Sequence, residues 1–262
     1  MISSIFDPYD RKARLYPALL VMLVPVVALT LVAPVFSSQL AGLASLAVAL
    51  GGLMLLSSLG REWGKRKEPQ LFHGWGGTPT TLMLLRATSN LDHVTLDRYK
   101  KILEAKISGL TFLDPAEEEP QRQKAAAICE SAVKWLREAT RDSKKFALIF
   151  AENTNYGFRR NLLGVRPLAI VMCLLTLMAT ALHAWMGSAG NLSAVSGQSW
   201  ASAAVACIGI VVWGGVVNAE FVKTTAFAYA TALLAACDSP HIATEKPKAR
   251  KASTAKKIDP AL

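Results

Sequence analysis

The residues best suited to chemistry lie in two short segments. The first, Phe72, His73, Gly74, Trp75, Gly76 and Gly77, sets an aromatic pair and one imidazole among glycines that permit unusual backbone angles. Such a loop would clamp a ligand by stacking on Trp75 and hydrogen bonding to His73, or it would dip Phe72 and Trp75 into lipid headgroups. The second segment, Glu152 to Asn161, is the densest in hydrogen-bonding groups, with Asn153, Asn155, Tyr156, Arg159 and Arg160. The planar forks of Arg159 and Arg160 suit phosphate, so this segment reads as a ligand or partner site. Its alternative is a structural elbow: Asn side chains satisfy a turn, aromatics pack and the arginines hold lipid phosphates. His73 lacks a nearby Cys, Ser or acidic partner, so no catalytic residue is assigned and an enzyme is disfavoured.

Other motifs carry less. Gly60 to Lys65 is one residue short of a phosphate loop, and Arg66 stands where Ser or Thr is needed. Cys129, Cys173, Cys207 and Cys237 are scattered without CxxC spacing, which implies neither a disulfide framework nor a zinc site, and no cofactor is indicated.

The elements that must position these segments are set by charge. Leu15 to Gly60 and Pro167 to Ala219 contain no Asp, Glu, Lys or Arg, and each is more than twice the ~20 residues that one helical crossing takes. Each run is expected to fold back and cross a membrane twice. A hydrophobic share of 52% agrees with that. All 29 basic residues fall outside the runs, which puts both termini and the intervening Arg61 to Arg166 on the cytoplasmic side of an inner membrane. The net charge of +10 is explained by anionic headgroups beside the crossings, and nucleic acid is disfavoured.

The expected organisation is all-α. It comprises a cytosolic N-terminus (1–14), a transmembrane hairpin (15–60), a helical cytosolic domain (61–166), a second hairpin (167–219), a cytosolic or interfacial helix (220–238) and a disordered basic tail (239–262). Pro25 should kink the first crossing, and Pro167 should open the third in its first turn. Small residues on crossings two and four, Ser45, Ala49 and Gly51, then Ala206 and Gly215, suit close helix packing within one chain or between subunits. In the domain, Thr78 with Pro79 opens one helix and Thr95 caps a second, to about Ile107. Asp114, Pro115 and Glu117 start a third that ends near Arg141, with Pro120 breaking its first turn. Lys144 to Asn153 forms a fourth, short one.

The block Glu152 to Pro167, with Phe72 to Gly77 and the opening Asp7, Pro8, Tyr9 and Asp10, resembles a group of uncharacterised bacterial inner-membrane proteins. More loosely, the architecture is similar to four-crossing membrane effectors of bacterial nucleotide-signalled antiphage systems. Two hairpins flanking one folded insert that carries no catalytic motif point to a non-enzymatic effector whose cytosolic domain answers a cytosolic protein or nucleotide signal and alters membrane integrity or assembly, with self-association. The alternative is a membrane anchor or scaffold for a cytosolic partner.

Overall fold

The computed structural model describes residues 8–32 and 39–243, and the side chains of 9–31 and 51–243. No strand occurs among the described residues. Pro8–Asp10 and a π turn, Arg11–Leu15, lead into α1 (Tyr16–Val32). α2 (Gln39–Trp75) is long, and α3 (Pro79–Leu84) is short. Then follow α4 (His93–Lys106), α5 (Pro115–Glu118) and α6 (Arg122–Ala139). α7 (Ala147–Ser188) has 42 residues. α8 (Gly197–Val211) ends in a second π turn, Val212–Val216, and α9 (Ala219–Ala235) precedes the final turn α10 (Pro240–Ala243).

Three described helices are long and apolar enough to cross a membrane: Arg11–Leu31, Ala147–Ser188 and Gly197–Val216. Of the expected second crossing, residues 39–50 are described as helical backbone only, so Ser45 and Ala49 lie outside the described side chains; of the turn expected from Phe36 to Gln39, 36–38 lie outside the described residues and Gln39 opens α2. Leu23, Val26 and Leu29 of α1, Leu174, Met178 and Leu182 of α7, and Ile208 and Val211 of α8 are all exposed. An outward belt of this kind is costly in water and suited to lipid.

Buried residues gather into two large clusters. One joins Val21, Leu56, Val165, Cys173, Ala206 and Trp213, and so draws α1, α2, α7 and α8 together. The other joins Leu84, Leu96, Leu136, Ile149, Leu233 and Cys237. α9 therefore docks on the helices of the 61–166 region. A position along the lipid surface does not fit Ala230, Leu233 and Leu234, which have no exposed area.

Local signals were met with adjustments. Thr78 and Pro79 open α3 as expected. α4 is capped by Asp92, whose Oδ1 accepts from the Thr95 backbone N–H at 2.8 Å, so Thr95 is the capped residue. The expected helix from Asp114 is split: α5 stops before Pro120, which has no N–H to continue it, and α6 begins at Arg122. Glu118 at the end of α5 is buried. It pairs with Lys100 at 2.9 Å and accepts the Arg86 backbone N–H at 3.0 Å.

The larger departure concerns breaks. The expected fourth domain helix and the third crossing are one helix, α7, with Pro167 in its interior. α2 likewise runs unbroken from the region of the expected second crossing to Trp75, through Pro69, so Phe72 to Trp75 are helical and only Gly76 and Gly77 turn. Their φ values of 87° and 150° suit glycine, and their N–H groups close the helix on His73 O and Phe72 O. A break falls instead at Val217 and Asn218, where extended Asn218 caps α9 by accepting from the Phe221 N–H at 2.9 Å. The chain stays packed through buried Ile242, whereas residues 244–262, most of the expected tail, lie outside the described residues.

Candidate functional site

The segment Glu152 to Asn161 is not an elbow. It lies wholly within α7, because each of its buried polar groups finds a partner that leaves the helical backbone bonds intact. Thr154 Oγ1 donates back to Phe150 O at 2.7 Å. Arg160, only 6% exposed, donates from Nη1 to Glu68 Oε1 of α2 at 2.7 Å, and the Tyr156 hydroxyl donates to the same oxygen at 2.8 Å. The other edge of the guanidinium donates to Asn161 Oδ1, from Nε at 3.3 Å and Nη2 at 3.2 Å. Asn161 in turn donates from Nδ2 to Ala13 O, 2.7 Å away in the first π turn.

This chain of bonds binds α2, α7 and the entry to α1 at one level. A buried guanidinium must be paired to be tolerated, and here both of its bonded edges have partners. Two glycine positions let the helices come close enough. A Cβ on Gly164 would collide with the Gly64 backbone, and one on Gly64 would lie 2.6 Å from Asn161 Oδ1. Gly157 makes the same allowance for Tyr9 and Ala13.

Arg159 turns the other way. Its Nη1 donates to Phe221 O at 2.8 Å, and the guanidinium lies 4.2 Å from the Phe221 ring centroid, fixing the start of α9. Arg166 donates from Nη2 to Gly214 O at 2.8 Å in the second π turn. α7 therefore sends a polar side chain to a carbonyl in each π turn, Asn161 to one and Arg166 to the other. π turns disturb the regular helical ladder, so outside donors there are physically favoured.

Beside the Arg160 cluster lies a cavity of about 720 Å³, within the range of small-ligand sites. Its lining includes Asn153, Tyr156 and Arg160 from α7, Lys65, Glu68 and Phe72 from α2, Lys134 and Arg137 from α6, and Tyr229 from α9. Tyr156 and Tyr229 stack with ring planes 6° apart. Burial pushes the Tyr229 phenol above its ordinary value, so it remains a neutral donor.

The structure thus brings three expected site residues together, Asn153, Tyr156 and Arg160. The others stand apart. His73 is exposed at the end of α2, while Trp75 is half-buried against Phe72 and Phe227. Asn155 is half-buried outside the cavity lining. Of the expected packing positions, Ala206 is buried, while Gly51 and Gly215 face open space.

Compared with known proteins, the chain matches no family model, no curated protein and no solved structure.

Sequence reasoning missed Glu68, Gly64 and Gly164, and gave Asn161 no role of its own within the segment it closes. The fourfold spacing of Gly60 and Gly64 and the sevenfold spacing of Gly157 and Gly164 were the available signals for a tight helix pair. Among the described residues no group of His, Cys, Asp and Glu is placed to hold a metal. Burial pushes the Cys129 and Cys237 thiols up to about 12, which leaves both protonated and unreactive at neutral pH.

Proposed function

We propose that this protein is a non-enzymatic effector of the bacterial inner membrane, in which a cytosolic signal bound beside α7 shifts the membrane helices. In this reading two helical hairpins cross the membrane, and both termini and the 61–166 region are cytoplasmic. The signal is a cytosolic protein or a small ligand such as a nucleotide, and self-association completes the response. The resemblance to bacterial four-crossing membrane proteins, antiphage effectors among them, belongs to the same proposal.

One observation carries it. α7 runs without a break from Ile149, in the cytosolic cluster, to Ala169 and Cys173, in the apolar one, and the Arg160 cluster bordering the cavity is where it is tied to α2. A ligand or partner that re-pairs Arg160 or Glu68 would change the α2–α7 contact directly, and a rigid helix delivers that change to the membrane.

The alternative is an anchor or scaffold. It is favoured by the close Gly64–Gly164 approach, which suits a fixed bundle better than a moving one. Dye leakage from liposomes holding the purified protein separates the two. Glu68→Gln, which opens the cluster without a signal, should change the leakage rate at least about fivefold, corresponding to about 1 kcal/mol of bias. Equal leakage from wild type and variant would favour the scaffold.

A further inference from the structure

Where α7 enters its charge-free stretch, two open grooves flank α2 and share Lys67, Gln70 and Pro167. One, of about 440 Å³, continues over Leu163, Arg166 and Ile170, and the other, of about 430 Å³, over Trp63, Arg66 and Leu168. Neither is lined by an Asp or Glu, in contrast to the inner cavity with Glu68, Glu130 and Glu138. The side chains of Lys67 and Gln70 are exposed and make no hydrogen bond or ion pair among the described residues. Arg166 uses one nitrogen on Gly214 O, which leaves further guanidinium donors.

We propose that this double groove is a binding site for one anionic phospholipid. The charge and the depth point to the same occupant. Lys67, Gln70 and Arg166 offer cationic and amide donors to a phosphodiester, while Leu168 and Ile170, beyond Arg166 on α7, offer an apolar track for acyl chains. Arg166 is the last charge before the run to Ala219, which puts the donors at headgroup depth. A free phosphate would leave the apolar track empty. The site is separate from the inner cavity and stands whether or not the effector reading does.

Native mass spectrometry of the full-length protein in detergent tests it, with equal phosphatidylglycerol and phosphatidylcholine of matched chains. The wild type should retain phosphatidylglycerol about tenfold over phosphatidylcholine. Lys67→Glu with Gln70→Glu should bring that ratio near unity, and Lys67→Arg should preserve it. Ile170→Trp, which blocks the apolar track but keeps the cations, should lower phosphatidylglycerol retention too. Arg11→Glu with Lys12→Glu removes exposed charge elsewhere and should leave the ratio unchanged. A ratio near unity in the wild type, an equal loss in the Arg11 and Lys12 variant, or displacement of the lipid by glycerol phosphate alone would overturn the proposal.

Discussion

Arg160 Nη1 and Glu68 Oε1 meet at 2.7 Å across 92 residues of sequence, and that pair locks the C-terminal part of α2 to α7. The rest of the site is arranged around it. Tyr156 shares the carboxylate oxygen, Asn161 covers the far edge of the guanidinium, and the Gly64–Gly164 contact sets the distance between helices.

Removing either charge should destabilise the protein. Arg160→Ala or Glu68→Ala strands a buried partner, a loss of up to about 3 kcal/mol, moderated because Glu68 keeps 25% of its side chain in solvent. Tyr156→Phe removes one hydrogen bond and should cost about 1 kcal/mol. Chemical denaturation in micelles, with the double variant Glu68→Ala/Arg160→Ala closing the thermodynamic cycle, should show a coupling energy well above the error of measurement.

Glycine substitutions should divide by neighbour. Gly164→Ala forces a methyl into the Gly64 backbone and should cost about 1 to 3 kcal/mol. Gly51→Ala and Gly215→Ala meet open space and should be neutral or stabilising within about 1 kcal/mol in the monomer. A change in oligomeric state with Gly51→Ala or Gly215→Ala would reveal these positions as contacts between copies. Thermal melts alongside light scattering read both outcomes.

The buried thiols make stability fall in alkali. Cys129 and Cys237 ionise near 9 when unfolded and at about 12 when folded, so between those values the unfolded state binds fewer protons. Stability contributed by the neutral thiols is therefore present below about pH 9 and is lost progressively as pH rises toward about 12. Replacing both with Ala should flatten that part of the pH profile of denaturation midpoints. At pH 8 both native thiols should resist maleimide until denaturant is added.

Charge-free length made the membrane helices legible, and Thr78–Pro79 and Pro120 made local boundaries legible, because these signals act within a few residues. The continuity of α7 was not legible. Pro167 and the Asn-rich stretch before it read as breaks, since isolated Asn and Pro favour turns. What holds them helical comes from distant sequence: Glu68 for Arg160, Ala13 for Asn161 and Gly64 for Gly164. Arg159 and Arg160 read as surface donors for the same reason. Their partners, Phe221 and Glu68, are far away along the chain.

Hydrogen exchange through Asn153 to Asn161 distinguishes a continuous clamped helix from an elbow, because the two differ most in those amides. Strong protection is expected there in the wild type, with faster exchange in Glu68→Gln both there and at the π turn Arg11–Leu15. Rapid exchange of Asn153 to Asn161 in the wild type, comparable with that of Gly76 and Gly77, would contradict the clamped helix.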